Sequence, residues 1–213
     1  MDDKNAQVVQ LFGKNAQLYE QKFMNVQSYH DALDIFCRSI TREQASILEL
    51  ACGPGNITQY LLRQRPGFRI LGTDLSPAML ELARKNNPGT TFQLLDCNDI
   101  TTLPDRYDGI VVGFLLPYLS REATDKLFQD AASMLHPGGV LYLSTMEDDY
   151  TKSGWRTSST GDQYYQYFHD AAWLKETLHK RGFRLIDEQR KTTPGPDGAP
   201  VTDLILIAGK LEC

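Results

Sequence analysis

Residues 47–58 read Ile-Leu-Glu-Leu-Ala-Cys-Gly-Pro-Gly-Asn-Ile-Thr, and this passage constrains the fold more than any other. A short apolar run carries a carboxylate, breaks into a loop of small residues and then enters a helix. Strand, tight loop and helix is the geometry that lets a backbone come close to a ligand. Nineteen residues after Gly55, a second apolar run (Arg69-Ile70-Leu71-Gly72-Thr73) ends in Asp74. An acid at the tip of a second strand is placed to accept hydrogen bonds from the two hydroxyls of a ribose. A third run, Phe92-Gln93-Leu94-Leu95, ends in Asp96. Three successive strand ends marked by acids describe the rim of a nucleoside pocket.

Strands and helices alternate along the rest of the chain. Strands are expected at about 46–51, 68–73, 91–95, 107–113 and 139–145, with helices at about 56–64, 77–86, 121–135 and 170–181. Asn86-Asn87-Pro88-Gly89 bounds the second of these helices, and Gly182 is a helix-stop signal after the last. Two closing strands are expected at 183–191 and 201–210, joined by the turn-rich Pro194-Gly195-Pro196-Asp197-Gly198-Ala199-Pro200. Residues 147–167 read as a polar, aromatic loop. Alternation of this kind implies a parallel sheet covered by helices on both faces. Ahead of the first strand, residues 5–40 show helical periodicity through Val8, Leu11, Phe12, Leu18, Tyr19, Phe23, Leu33, Ile35 and Phe36, with breaks expected at Gly13 and 24–28. Residues 1–45 are therefore expected to form a helical cap over a core of residues 46–213.

The motifs resemble those of the class I S-adenosylmethionine-dependent methyltransferases. The family's acid-x-Gly-x-Gly-x-Gly motif has its counterpart in Glu49-Leu50-Ala51-Cys52-Gly53-Pro54-Gly55, with Ala51 in place of the first glycine. Gly72-Thr73-Asp74-Leu75-Ser76-Pro77-Ala78-Met79-Leu80, Asp96-Cys97, Tyr107-Asp108-Gly109-Ile110-Val111-Val112 and Leu135-His136-Pro137-Gly138-Gly139-Val140-Leu141 follow in the family's order. The resemblance spans roughly residues 46–146. It implies a Rossmann-like, doubly wound seven-stranded sheet of order 3-2-1-4-5-7-6 with the last strand antiparallel.

It also implies S-adenosylmethionine as cofactor, S-adenosylhomocysteine as product, and direct in-line methyl transfer. The expected cofactor contacts are Tyr19, Glu49, Ala51, Cys52, Gly53, Gly55, Asp74, Leu75, Met79, Asp96, Cys97, Gly113 and Phe114. Gly53 and Gly55 leave room for the amino-acid part of the ligand, and the N-terminus of the following helix favours its carboxylate. Asp96 suits the adenine amine, with Leu75 and Met79 on the adenine faces. On the acceptor side the expectation falls on Tyr29, Leu115, Pro117, Trp155 and Tyr165, with His169 and Tyr118 as catalytic residues. Histidine titrates near neutrality and can act as a base. Asp148 and Asp149 have no further ligand cluster beside them, so no metal is expected.

Single features have plainer readings. A Gly-x-Gly after a strand is often only a turn, and Asp74 or Ser76 could simply cap the helix that opens at Pro77. Thr58 stands where a nicotinamide-binding Gly-x-Gly-x-x-Gly would place its third glycine, which disfavours an oxidoreductase. Leu115-Leu116-Pro117-Tyr118 lacks the acid or amide with which the amino-methylating nucleic-acid enzymes hold a base.

The composition narrows the partners. A net charge of −5 without a long basic run disfavours an extensive nucleic-acid surface. Cys37, Cys52, Cys97 and Cys213 show no Cys-x-x-Cys spacing and read as reduced thiols in a cytoplasmic protein. The opening Met1-Asp2-Asp3-Lys4 is unlike a signal peptide, and no apolar run reaches the ~20 residues of a membrane span. A monomer or homodimer acting on a small-molecule acceptor is the expected state. A tRNA or protein methyltransferase and a non-catalytic S-adenosylmethionine-binding protein are the alternatives.

Overall fold

The structure is a computed structural model that describes residues 3–195 and 198–212. Met1 and Asp2 of the expected polar N-terminus, Pro196 and Asp197 of the expected turn, and Cys213 lie outside the described residues.

Three helices open the chain: α1 (Asp3–Lys14), α2 (Ala16–Phe23) and α3 (His30–Ser39). Helix α1 runs through Gly13, so the first break falls at Asn15 and not at the glycine. The alternating unit follows as β1 (Ser46–Leu50), α4 (Asn56–Gln64), β2 (Arg69–Asp74), α5 (Pro77–Asn86), β3 (Thr91–Leu94), β4 (Tyr107–Gly113), α6 (Arg121–Met134) and β5 (Leu135–Glu147). A small hairpin, β6 (Gly154–Thr157) and β7 (Gln163–Gln166), precedes α7 (Ala171–Lys180), β8 (Phe183–Pro194) and β9 (Pro200–Lys210).

Local chemistry sets the helix starts. The Ser76 hydroxyl accepts from the Met79 N–H with Pro77 at the first turn of α5, Ser120 accepts from Ala123 at α6, and Asp170 accepts from Trp173 at α7. Helix α4 has no side-chain cap. Gly55 at φ 77° turns the chain into it, a conformation glycine adopts without cost.

The seven main strands lie in the order β3-β2-β1-β4-β5-β9-β8. The first five are parallel, and β9 runs antiparallel to both β5 and β8. This is the order the family resemblance implies, with β8 and β9 in the sixth and seventh places because the hairpin intervenes along the chain. Successive side chains alternate between faces. Leu48, Leu50, Ile110, Val112, Leu141 and Leu143 pack against α6 and α7 on one face. Ile47, Val111, Tyr142, Ile205 and Ile207 pack against α3 and α4 on the other. Burial on both faces explains why the strands read as continuous apolar runs.

Two expectations need correction. The segment 147–167 is not an unbroken loop, because Trp155 pairs with Tyr165 and Thr157 with Gln163 in the β6–β7 hairpin. Helix α3 is not cap material. Its Ala32, Leu33, Phe36 and Cys37 are buried in the core cluster with Tyr142 and Ile207, while residues of α1 and α2 line the cavity at the strand ends. Those two helices are tied to the hairpin. Lys14 pairs with Asp162 at 3.0 Å, Asn15 donates to the Thr160 hydroxyl, and the Lys4 ammonium sits 3.8 Å from the centre of the Tyr165 ring. Together α1 and the hairpin form a strap across the carboxyl edge of the sheet.

Candidate functional site

The carboxyl ends of β1, β2, β3 and β4 converge on one cavity. Ala51, Gly53, Asp74, Leu75, Ser76, Met79, Leu95, Asp96, Cys97, Gly113 and Phe114 form its strand-end wall, and Val8, Val9, Phe12 and Tyr19 close it from α1 and α2. Ligands in open α/β sheets bind at this edge, where the chain order reverses beside the first strand. Two non-glycine residues at the site adopt left-handed backbone conformations, Ala51 at φ 51° and Phe114 at φ 52°. They end β1 and β4 respectively. Such residues cost energy and gather at sites where the backbone must turn sharply beside a ligand. Ala51 thus takes the conformation that a glycine would adopt freely at the same place.

Asp74 is the polar centre of the wall. One carboxylate oxygen accepts from the Gly53 N–H at 2.9 Å and the other from the Ser76 N–H at 2.8 Å. These bonds fix the carboxylate and pin the glycine loop to β2. A carboxylate has about four acceptor positions, so each oxygen keeps capacity for one more donor. Two vicinal hydroxyls match that capacity. Burial raises the Asp74 carboxyl above its ordinary value, against the lowering effect of the Ser76 and Gly53 amides. At the next strand end, one Asp96 oxygen accepts from both the backbone and the side chain of Asn98, at 2.9 and 2.8 Å. That bond starts a 3₁₀ turn at Cys97, whose own N–H stands at a helical first position with no intrahelical acceptor. An amine-accepting carboxylate and an outward N–H side by side suit the edge of an adenine ring.

Glu49 lies deeper than expected. It is 1% exposed and lines neither this cavity nor the one beside it, and it accepts a hydrogen bond from the Thr58 hydroxyl. Desolvation pushes its carboxyl up to about 8, against the lowering effect of that bond. Cys52 is likewise buried beneath the loop, packed with Leu80, Ala83 and Phe92. Gly55 faces α5, where an added Cβ would fall 2.3 Å from the Asn87 amide nitrogen. These three residues shape the loop from behind and do not form its surface.

A second cavity of about 440 Å³ adjoins the first. Phe12, Tyr19, Phe114 and Tyr118 belong to both and form the common wall. Their rings interlock, with Phe12 edge-on to Tyr19 at 5.5 Å and to Tyr118 at 5.4 Å. Burial, and secondarily Asp74, raises the Tyr19 phenol to about 12, and burial raises Tyr118 further, so both are neutral phenols in water. Four π-systems at the junction favour a cation between the two spaces.

Several expected acceptor-side residues lie elsewhere. Tyr29 lines the second cavity and Leu115 the first, but Pro117, Trp155 and Tyr165 line neither. Pro117 is buried in a 3₁₀ turn, while Trp155 is 51% exposed and packs edge-on to Tyr165 on the hairpin. His169 is not placed to act as a base. The ring is fully buried, stacks on Trp173, and directs Nε2 at the Leu116 and Leu119 carbonyls at 3.2 and 3.0 Å. Two carbonyls can only accept, so Nε2 carries the proton, and desolvation lowers the imidazole below its ordinary value. Sequence reasoning missed Val8, Val9 and Phe12 as wall residues, since nothing in a helical period says what its face will cover. It also missed Asp203, an acid at the start of a strand rather than at a strand end.

Comparison with known proteins agrees with this fold. Residues 47–139 match the family described as a methyltransferase domain. The matched stretch, the motif order and the sheet order together support a class I S-adenosylmethionine-dependent methyltransferase. A trans-aconitate 2-methyltransferase of Methylobacterium nodulans is 36% identical over 110 residues, covering 52% of this chain and 42% of that relative. The chain therefore aligns with less than half of that relative's length. A malonyl-[acyl-carrier protein] O-methyltransferase of Ilyobacter polytropus is 27% identical over 184 residues, covering 84% of this chain and 67% of that one. Among solved structures, the 1,6-didemethyltoxoflavin-N1-methyltransferase of Burkholderia thailandensis, with 1,6-didemethyltoxoflavin and S-adenosylhomocysteine bound, superposes with a TM-score of 0.73. It is 21% identical, and the match covers 100% of this chain and 92% of that one. At that identity the likeness concerns the fold. Among the described residues no helix is long and apolar enough to cross a membrane.

Proposed function

We propose that this protein binds S-adenosylmethionine in the strand-end cavity and methylates a small-molecule acceptor held in the adjoining one. The observation that carries this reading is the shared aromatic wall of Phe12, Tyr19, Phe114 and Tyr118, which joins a nucleoside-shaped cradle to a second, larger space. When bound, the cofactor supplies a methyl group on a positively charged sulfur, which an acceptor lone pair takes directly. The chain's own residues then have three tasks. Asp74 receives the ribose hydroxyls, Asp96 and the Cys97 amide receive the adenine edge, and Met79 and Leu75 line the apolar faces. Gly53, at φ 53° and without a side chain, lets the amino-acid end lie on the backbone. The aromatic wall stabilises the positive charge and orients the acceptor, and orientation is the main barrier-lowering contribution such a transfer needs.

Helices α1 and α2 with the β6–β7 hairpin act as the cover that excludes water, so residues 1–45 contain a cap formed by their first two helices. A relative named for trans-aconitate and a structural neighbour named for 1,6-didemethyltoxoflavin support a small-molecule acceptor, while the relative named for malonyl-[acyl-carrier protein] fits a carrier-bound one. The reading places the protein in the cytoplasm, as a monomer or homodimer.

Titration calorimetry with S-adenosylhomocysteine tests the cradle. Asp74→Ala should weaken binding by about 1–3 kcal/mol, because it removes a charged acceptor and frees two backbone amides. Equal affinity in the two proteins would refute the ribose assignment. Labelled-methyl transfer to a metabolite panel tests the activity. Tight binding without product from any acceptor would favour a cofactor-binding protein without turnover.

A further inference from the structure

The second cavity has one carboxylate on its wall, and the proposed function leaves it without a role. Asp203 lies within β9 opposite Met146 of β5, and both side chains line the space. Beside it stand Tyr29 from the turn before α3 and the fully buried Tyr142 from β5. The Tyr29 hydroxyl donates to one Asp203 oxygen at 2.7 Å, and the Tyr29 ring packs edge-on to Phe114 of the shared wall at 5.4 Å. Among the described residues no lysine or arginine pairs with Asp203. Lys191, its neighbour across β8, pairs with Asp31 instead. The remaining walls near it, Leu33, Val26, Ile57 and Tyr142, are apolar or aromatic. The same cavity is also lined by Lys22 of α2, whose side chain is exposed, and by Asn15, Asn25 and Asn56.

A half-buried carboxylate held by one phenol, with acceptor capacity facing an apolar cavity, is costly unless something donates to it. We infer that Asp203 is the specificity-determining contact of the acceptor site, and that it selects a planar, aromatic acceptor presenting an N–H or O–H donor to it. Tyr29 is the positioning residue that turns the carboxylate toward the cavity. The aromatic walls accept a flat molecule, and Asp203 takes its donor edge. At the Asp203 end the same charge disfavours a carboxylate, so with Lys22 elsewhere on the wall the site distinguishes a donor edge from a polycarboxylate by where each can sit. The inference rests on the proposed function, since it assumes that the second cavity receives the methyl acceptor.

The test uses the full chain saturated with S-adenosylhomocysteine, whose binding is first measured alone. Tyramine, xanthine and adenine serve as planar donor probes, and trans-aconitate and citrate as polyanions, with affinities read by calorimetry. At least one donor probe should bind the wild type, and neither polyanion should. Asp203→Asn should weaken that probe tenfold or more, and Tyr29→Phe should weaken it less, both with S-adenosylhomocysteine affinity unchanged. Unchanged probe affinity in Asp203→Asn, binding of the polyanions in preference to the donors, or no donor binding at all would each overturn the inference while leaving the cofactor reading intact. Failure of the wild type to bind S-adenosylhomocysteine would remove the cofactor reading and this one with it.

Discussion

Glu49 offers a test of the site's electrostatics that needs no ligand. Its carboxyl is fully buried, and desolvation raises it from 4.5 to about 8. The folded protein therefore holds that proton more tightly than the unfolded chain does. Between the two values the native state binds more protons than the unfolded state, so stability falls as pH rises through that window. One proton corresponds to about 1.4 kcal/mol per pH unit. Glu49→Gln keeps the size of the side chain and an oxygen for the Thr58 hydroxyl but removes the titration. From pH 5.5 to 7.5 the variant should gain roughly 3 kcal/mol relative to the wild type. Urea unfolding of both proteins at several pH values measures the difference directly, and the titrating groups that do not interact with Glu49 cancel in it. A difference that stays constant with pH would refute the account, because it would mean that Glu49 ionises as freely in the fold as in the unfolded chain.

Other outcomes follow from the same geometry. Gly55→Ala places a side chain at φ 77° and against the buried Asn87 amide, which donates to the Gly55 and Ala83 carbonyls; it should cost about 2–4 kcal/mol in denaturant unfolding. His169→Phe leaves the Leu119 carbonyl without the imidazole donor, while Leu116 keeps the Leu119 N–H, and should lower stability by about 1–3 kcal/mol, yet leave the pH profile of turnover unchanged. A lost basic limb in that profile would restore the histidine as a base. Removing residues 1–14 should leave a cooperatively melting core, since Val8 is the one fully buried side chain described in α1, while turnover falls at least tenfold as the wall of Val8, Val9 and Phe12 is lost. Undiminished turnover would show that α1 does not cover the reaction.

The sequence by itself determined the sheet and the cradle. The first strands are short apolar runs that end near small or acidic residues, and α5 and α6 carry their own start signals at Ser76-Pro77 and Ser120. Such signals are local, so the strand-end residues Asp74, Asp96 and Gly53 could be read from spacing alone. The hairpin was not read from the sequence, because the short aromatic runs on either side of Ser158–Asp162 carry no clear period. Tertiary packing alone decided the rest. Glu49 and His169 look like functional groups in sequence, and they became interior hydrogen-bonding groups because neighbouring elements closed over them. Asp203 looks like one acid among many, and it entered a cavity because β9 inserts beside β5 while Tyr29 approaches from 174 residues away. Local preference is written in adjacent residues, whereas solvent exposure and charge environment are set by which distant surfaces meet.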